Sequence, residues 1–457
     1  MNTRRVFFQT LAGAALVSRA AEVQKRDMIV RSARPADLEM PLDGFGDWIT
    51  PLDRFFVRCH HYTPNVDLAG WNLTVAGEVA KPLTLTMDDL KKLPRVELVG
   101  VLECAGNGRA LYEPPVPGAQ WVHGGVGNGR WAGVRLADVL AKAGVKASGK
   151  NVLMDGADEA IGTMPKFQRQ LPLTKALNRD TLLAYEMNGE TLPQQHGFPL
   201  RVVAAGWAGD SWTKWLTKLT VIDRDADGFW MKTGYRHPLY PVTPGTAVDP
   251  AKMHPVEALG IKTVIAGPAE DTQVMPGKPL KIHGTAWSGE TPVASVEVSV
   301  DRGRTWRKAT LNPEQSRYGW RLWQYSWTPE QQGFYFLMAR AYDMAGKTQP
   351  MEQEWNPSGY LHNVVPRVAV TVTETPEKPQ PAGGSSGANP QFAPPAGFQT
   401  ACLTCHGEDM IMQERLTGKQ WNAEVDKMVR WGAQVKAEDR GAIVDYLLKL
   451  YGPRPLK

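Results

Sequence analysis

The chain contains only four cysteines in 457 residues, at positions 59, 104, 402 and 405. So few cysteines exclude a disulfide-rich secreted scaffold. No apolar run reaches the roughly 18 residues that a membrane-spanning helix needs. We therefore expect a chain without a membrane span, whose few thiols carry specific chemistry.

Long blocks of like charge are also missing. The formal net charge is +5, and the 52 Lys and Arg residues are spread along the chain. This distribution does not indicate a nucleic-acid partner, whereas a mildly basic chain suits a small anionic ligand. With 42% hydrophobic and 22% charged residues, a chain of this length predicts two or three globular domains.

The N-terminus has the features of an export signal. In "TRRVFFQTLAGAALVSRAAE", Arg4 and Arg5 precede a short, weakly apolar run that ends in small residues. This pattern predicts a twin-arginine signal over residues 1–21 and export of the folded protein to the periplasm. A mitochondrial-type presequence or an amphipathic start is the alternative, because Arg19 interrupts the apolar run.

Three regions with different residue patterns follow. Short apolar strands alternate with helical segments such as "TMDDLKKL" across residues 22–245, which predicts an α+β domain. Residues 246–374 show strands alone, separated by Gly, Pro and Asp turns, and predict an immunoglobulin-like β-sandwich. Residues 375–397 are rich in Pro, Gly and Ser and predict a flexible linker to a small all-α domain at residues 398–457.

The segment "ACLTCHGE" carries the clearest local motif. Cys402-x-x-Cys405-His406 has the spacing at which two thiols attach a haem covalently and the adjacent imidazole binds its iron. A redox disulfide or half a zinc site is the alternative, but no second cysteine or histidine pair lies nearby. In the helical segment "KQWNAEVDKMVRWGA", Met428 is the candidate for the second iron ligand, or else a core methionine packed on the porphyrin. We therefore expect a minimal c-type cytochrome domain.

Cys104 stands alone before "AGNGR", at the end of a predicted strand. In an oxidising compartment it could form a disulfide with Cys59. Alternatively, its thiolate could bind a transition metal that brings its remaining ligands with it, because a soft sulfur ligand suits such a metal. The small residues that follow would let a bulky ligand approach closely.

Seven separated stretches resemble one family: "DRFFVRCHHYTP", "VLECAGNGR", "GRWAGVRLADVL", "LLAYEMNGETLPQQHGFPLRVV", "TKWLTKL", "VSVDRGRTW" and "AYDMAGKTQP". In this order and spacing they resemble the sulfite oxidase family of molybdenum enzymes, from about residue 40 to 370. The resemblance implies a molybdopterin domain over residues 22–245 and a dimerisation role for residues 246–374. It also implies that the C-terminal cytochrome is fused in place of a separate haem subunit.

The resemblance assigns roles around the reacting centre. Cys104 matches the cysteine that binds molybdenum, and Arg58 and Arg109 match the arginines that bind the anionic substrate. Tyr185 of "AYEMNG" matches the tyrosine beside the metal. Arg321 of "GWRLW" matches an arginine that the second domain contributes to the pocket. Guanidinium groups bind oxyanions bidentately and stay charged at any working pH, which suits sulfite.

Further matches concern the cofactor. His60, His196, Arg201 and Lys214 match residues that hold the pterin and its phosphate. The family usually has Arg-Asn-His where this chain has Arg-Cys-His, so Cys59 is a departure from the pattern.

The resemblance implies a sulfite dehydrogenase that passes electrons through haem to an external c-type cytochrome. A sulfane or thiosulfate dehydrogenase of the same fold is the first alternative. A methionine sulfoxide reductase is a second, which the fused haem disfavours because a reductase needs an electron source. A haem electron carrier with a degenerate front domain is the third.

Overall fold

The computed structural model describes residues 22–376 and 393–453. The predicted signal at residues 1–21 lies outside the described residues, as do residues 377–392 of the predicted linker. Across the described ranges, no helix has the length and apolar character needed to cross a bilayer.

The first part of the chain is a mixed α+β unit built on four sheets, which agrees with the predicted α+β domain. Its strands are β1 (Ile29–Ala33), β2 (Ala36–Glu39), β3 (Val57–Arg58), β4 (Leu73–Gly77), β5 (Leu83–Leu85), β6 (Val96–Glu103), β7 (Val126–Arg135), β8 (Asn151–Gly156), β9 (Gln168–Pro172), β10 (Thr181–Met187), β11 (Glu190–Thr191), β12 (Arg201–Ala204), β13 (Leu216–Ile222), β14 (Arg236–Pro238) and β15 (Met253–Pro255). Its helices are α1 (Met87–Lys91), α2 (Leu136–Ala143), α3 (Leu173–Ala176) and α4 (Phe229–Lys232).

Two five-stranded sheets form the body of this unit. One has the order β11–β10–β7–β6, with β12 also pairing with β10, and the other has the order β5–β4–β13–β8–β9. β1–β2–β3 and β14–β15 form the two smaller sheets. β6 pairs antiparallel with β7 along its whole length, from Val96 opposite Gly133 to Glu103 opposite Val126. This long register sets where β6 ends, and Cys104 follows directly.

The short helices begin and end where their sequences indicate. Thr86 and Asp89 form a capping box at the start of α1, each bonding to the other's backbone N–H. In α2, Leu136, Val139, Leu140 and Ala143 are buried on one face, which is the spacing of an amphipathic helix. Gly144 ends α2 with a positive φ of 69°.

Strands alone build the second part of the chain. They are β16 (Lys262–Gly267), β17 (Thr272–Val274), β18 (Leu280–Trp287), β19 (Val293–Ser299), β20 (Arg307–Lys308), β21 (Thr310–Leu311), β22 (Arg321–Trp327), β23 (Gly333–Asp343) and β24 (Arg367–Val372). The sheets β16–β18–β22–β21 and β17–β24–β23–β19–β20 share one apolar core. The predicted boundary at residue 245 falls in the connection between the paired strands β14 and β15.

The C-terminal part is all-helical and has its own core. It contains α5 (Phe398–Cys402), α6 (Glu408–Met412), α7 (Gly418–Arg430) and α8 (Ala437–Tyr451). Trp421 and Val425 of α7 pack with Ile443, Val444 and Leu447 of α8, as the apolar spacing of the two segments predicts.

Candidate active site

Cys104 lies on the wall of an internal cavity in the α+β unit. Its backbone N–H donates to the Gly125 carbonyl at 2.8 Å, and the residue is 9% exposed. Burial raises the pKa of its thiol, while the nearby Arg58 and Arg109 favour the thiolate. Cys59 lines the same cavity, and both thiols are free. The alternative of a Cys59–Cys104 disulfide is therefore not what the structure shows.

Arg58 reaches the cavity from the end of β3. Its Nη1 lies 3.1 and 3.2 Å from the two carboxylate oxygens of Asp37 on β2. Asp37 also accepts the Cys59 backbone N–H at 3.1 Å. Burial lowers the pKa of Arg58, but Asp37 and the other groups around it outweigh that effect and hold the pKa above its ordinary value. The guanidinium therefore stays charged and fixed in one orientation.

Arg109 is held in a backbone cradle made possible by glycines. Its Nη1 donates to the Ala119 carbonyl at 3.1 Å and its Nη2 to the Ser358 carbonyl at 3.3 Å. A Cβ at Gly106 would lie 2.7 Å from the guanidinium, and one at Gly118, where φ is +114°, would lie 2.9 Å from it. The small residues after Cys104 therefore make room for the arginine, as well as for any ligand.

His60 and Tyr235 form a close pair at the cavity. His60 Nε2 lies 2.6 Å from the Tyr235 hydroxyl. Burial, reinforced by Arg58, lowers the pKa of His60 well below 6.5, and burial raises the pKa of Tyr235 well above 10.0. Both side chains are therefore neutral at working pH. Tyr235 stacks on Tyr360 with ring centroids 5.3 Å apart, so the second domain reaches the site through Tyr360.

Three basic side chains lie together around Gln195 and His196: Arg201 is buried, and Lys25 and Lys214 are half-buried. Lys214 Nζ donates to the carbonyls of Arg58 and Gln195 at 3.0 Å and lies 3.2 Å from Cys59 Sγ. Arg201 Nη1 donates to the His196 carbonyl at 2.9 Å. Lys25 Nζ lies 2.9 Å from His196 Nε2, which must accept because an ammonium group only donates.

Burial weighs against the charged state of all three. It lowers the pKa of Lys25 to about 7 and of Arg201 to about 9, and it also lowers the pKa of Lys214. Across residues 22–376 and 393–453, none of the three forms a salt bridge. Of the two carboxyl groups on this wall, Asp210 is paired with Arg169 at 2.6 Å, while Asp158 favours the charged state of Lys214 without forming a described salt bridge to it. Cations that are partly removed from water without a salt-bridge partner are costly, and an anionic ligand would lower that cost.

The haem-motif residues face the same region from the C-terminal unit. A second cavity of about 410 Å³ adjoins the first and is lined by Arg58, Cys104 and Arg109 on one side. Cys402, Cys405, His406 and Met428 line its other side. His406 Nδ1 lies 3.0 Å from the Gly407 carbonyl. Because a carbonyl only accepts, Nδ1 carries the proton and Nε2 is the ring nitrogen that keeps its lone pair.

Comparisons with known proteins identify the family. Residues 60–230 match the model of the oxidoreductase molybdopterin-binding domain, and residues 253–373 match the Mo-co oxidoreductase dimerisation domain. Mitochondrial sulfite oxidase of Rattus norvegicus is 35% identical over 360 residues, 75% of this chain and 65% of that protein. Sulfite oxidase of Arabidopsis thaliana is 31% identical over 374 residues, 74% of this chain and 92% of that protein. The chain belongs to the sulfite oxidase family of molybdopterin enzymes.

The family resemblance inferred from the sequence is thus confirmed. The chain spans less than two thirds of the length of the rat protein and of the Drosophila melanogaster sulfite oxidase, 65% and 62%. Among solved structures, the sulfane dehydrogenase SoxCD of Paracoccus pantotrophus matches with a TM-score of 0.65 and 26% identity, covering 79% of this chain and 92% of that chain. Neither family model extends beyond residue 373, so the predicted cytochrome stays a prediction.

The cavity residues fit the molybdenum–pterin group of this family. Cys104 offers a soft thiolate donor. Arg201 and Lys214 line the cavity and form no salt bridge to any described residue, so they suit a phosphate. Thr213 Oγ1 is buried with no hydrogen-bond partner in the part of the chain that the structure describes, and Thr213 lines the cavity. Such an atom is expected where a polar ligand binds.

Two residues assigned by resemblance lie elsewhere. Tyr185 sits at a β-bulge of β10 between Ala184 and Glu186, and its ring centroid lies 5.9 Å from Lys91 Nζ of α1. It packs in the core of the α+β unit and does not line either cavity, so its assignment is corrected. Tyr235 is the tyrosine at the site.

Arg321 is the second correction. It is the first residue of β22, and its Nε donates to the Asn312 carbonyl at 2.9 Å inside the sandwich domain. The sandwich domain contributes Ser358 and Tyr360 to the site instead. The other assigned residues, Arg58, His60, Cys104, Arg109, His196, Arg201 and Lys214, all line the two cavities.

Proposed function

We propose that this protein oxidises sulfite to sulfate at a molybdenum–pterin centre and passes the electrons through a covalently bound haem c to an external c-type cytochrome. The net reaction is sulfite plus water to sulfate, with release of two protons and two electrons. We further propose that the twin-arginine signal delivers the folded enzyme to the periplasm and that residues 246–374 pair two chains.

One observation carries the proposal. The cavity of about 410 Å³ is lined by Cys104 and two arginines on one side and by the Cys402-x-x-Cys405-His406 motif on the other. A metal held at Cys104 and a haem held at His406 would then share one enclosed space. Such proximity is what electron transfer from an oxidised substrate to a haem requires.

The chain's own residues would bind and orient the anion. Arg58 and Arg109 present two guanidinium groups to the cavity that contains Cys104. Arg109 Nε is buried and, among the described residues, has no hydrogen-bond partner. Fixed guanidinium groups bind an oxyanion bidentately, so sulfite would be held with its sulfur lone pair free. Tyr235, which stays protonated, can donate a hydrogen bond to an oxygen of the bound anion.

The cofactors divide the remaining tasks. When bound, the molybdenum–pterin group supplies oxygen-transfer and two-electron chemistry, and the haem accepts electrons singly. Cys104 would bind the molybdenum, and Arg201, Lys214, His60 and His196 would hold the pterin and its phosphate.

In the C-terminal unit, Cys402 and Cys405 would bear the thioether bonds, and His406 Nε2 would bind the iron. Met428 of α7 lines the cavity as well, which supports its role as the second iron ligand. The alternative role for Met428, packing on the porphyrin, predicts a different haem spectrum from methionine ligation.

Anaerobic titration with sulfite tests the proposal. The holoenzyme should contain molybdenum and iron in a one-to-one ratio, and sulfite should reduce the haem absorbance band. Cys104→Ser should lose molybdenum and sulfite-dependent haem reduction, while dithionite still reduces the haem. Cys59→Ser is the matched control, because it removes the neighbouring thiol of the same cavity, and it should keep both properties. Haem that stays oxidised in molybdenum-replete enzyme would contradict the proposal.

A sulfane dehydrogenase is the second candidate function. It is favoured by the similarity to SoxCD, whose structure covers 79% of this chain. Haem reduction by a carrier protein bearing sulfane sulfur, but not by free sulfite, would support this candidate. The third alternative, a haem carrier with a degenerate front domain, predicts iron without molybdenum.

A further inference from the structure

The C-terminal unit is seated directly on the catalytic unit. Trp431 packs edge-on against Phe229, with ring centroids 5.7 Å apart. Hydrogen bonds also link the two units. The Tyr62 hydroxyl donates to the Cys405 carbonyl at 3.0 Å, and Arg34 Nη2 donates to the Leu403 carbonyl at 3.0 Å. The Ala33 N–H donates to Asp409 Oδ2 at 2.6 Å, and the Thr163 hydroxyl donates to the Arg430 carbonyl at 3.1 Å. This docked arrangement gives the two units a shared contact surface.

Glu414 makes the most deeply buried polar contact of this surface. It follows α6, is 8% exposed, and its Oε1 accepts the Gly118 N–H at 2.9 Å. Its Oε2 lies 3.5 Å from Gln120 Nε2, and the neighbouring Gln413 accepts the Gln120 N–H at 3.1 Å. The C-terminal unit thus holds the loop of residues 117–120 from one side.

Arg109 touches the same loop from the other side. Its Nη1 donates to the Ala119 carbonyl, and its guanidinium packs so closely on Gly118 that a Cβ there would lie 2.9 Å away. One short loop therefore separates Glu414 from Arg109. A shift of this loop would move the carbonyl that orients the guanidinium.

We propose that Glu414 is a positioning residue that couples docking of the C-terminal unit to the orientation of Arg109 and so to the binding of the anionic substrate. The choice of sulfite as that anion rests on the function proposed above. The coupling has a simple physical basis. When Glu414 leaves, the half-buried Gly118 N–H loses its acceptor and the loop loses one of its anchors.

The same contact predicts a pH dependence. Burial, with Glu424 adding to the effect, raises the pKa of Glu414 from 4.5 to about 8, while the Gly118 N–H, Lys427 and Arg109 oppose the rise. An undocked, exposed Glu414 would have its ordinary pKa. The docked state therefore binds one more proton between these two values, so docking is strongest at low pH and weakens as the pH rises through about 8.

The experiment compares Glu414→Ala with Glu414→Gln and with Asp426→Asn in the holoenzyme. Asp426 belongs to the same C-terminal unit, but its side chain is 51% exposed and is paired with Arg440. For Glu414→Ala we expect KM for sulfite to rise about tenfold with little change in kcat, the effect of one lost hydrogen bond on binding. Glu414→Gln should restore KM because the amide oxygen still accepts, and Asp426→Asn should match the wild type.

Hydrogen exchange gives a readout independent of turnover. The peptide containing residues 117–120 should exchange faster in Glu414→Ala than in the wild type, and added sulfate should protect it less. If the wild type oxidises no sulfite, the proposed function fails. The difference in hydrogen exchange between Glu414→Ala and the wild type, measured without any anion, still tests the contact between Glu414 and the loop of residues 117–120.

Equal exchange and equal KM in Glu414→Ala and the wild type would overturn the inference. If Glu414→Ala does not fold, the pH dependence decides. The ratio of the wild-type KM to the KM of Glu414→Gln should rise between about pH 6 and pH 9. A ratio that stays constant over this range would overturn the inference.

Discussion

The ion pair between Arg58 and Asp37 offers the sharpest test of the site. Asp37→Asn keeps the shape of the side chain and an acceptor for the Cys59 N–H, but it removes the charge that faces Arg58. The Asp37 side chain is fully buried, and that of Arg58 is 25% exposed. Removing one partner of a buried pair costs about 3–5 kcal/mol. Since the amide oxygen retains part of the bonding and Arg58 keeps some solvent, we expect about 2–3 kcal/mol.

This cost should appear in two measurements. The free energy of unfolding in urea should fall by about 2–3 kcal/mol, and kcat/KM for sulfite should fall about 10- to 100-fold because Arg58 is no longer held toward the cavity. Asp223→Asn is the matched control. Its partner Arg224 lies 3.0 Å away, but the two side chains are 53% and 71% exposed, so a loss below about 1 kcal/mol is expected. A loss for Asp37→Asn as small as that of the control, with kcat/KM unchanged, would refute the reasoning.

Two further substitutions test the remaining parts of the site. Tyr235→Phe removes the hydroxyl 2.6 Å from His60 Nε2, so kcat/KM for sulfite should fall about tenfold with little change in melting temperature; steady-state kinetics and thermal unfolding check this. Lys262→Met leaves the buried carboxylate of Glu103 without its partner at 2.8 Å, so the free energy of unfolding in urea should fall by about 3 kcal/mol. Lys92→Met, which removes an exposed ion pair, should leave the free energy of unfolding almost unchanged.

Local sequence patterns located the elements that carry the site. The strand "VELVGVLEC" corresponds to β6, and the helical segment "RLADVLAKAG" to α2. These predictions succeed because alternating and helical apolar spacing depends on which face is buried, a local property. Cys104 directly follows β6, so the strand prediction also located the end of the strand that carries it.

Tyr185 and Arg321 show where this reasoning stops. Tyr185 lies at a bulge of β10 and Arg321 at the start of β22, and a strand position alone does not tell which cavity a side chain faces. Tyr235 and Tyr360 come from irregular loops that meet only in the folded chain, where their rings stack. No periodicity marks such loops, so sequence patterns could not identify the site tyrosine.

The cations around His196 had no local signal either, because a basic residue in the sequence carries no mark of its burial. Lys25 lies near the start of the described chain, 171 positions before its partner His196, and Lys214 and Arg201 belong to other segments. They converge without a salt bridge to any described residue, which departs from the rule that charges removed from water are paired. Proteins break such rules at functional sites, where a ligand supplies the missing partner. The strongest structural argument for an anionic cofactor is therefore a violation of folding rules that only the folded chain displays.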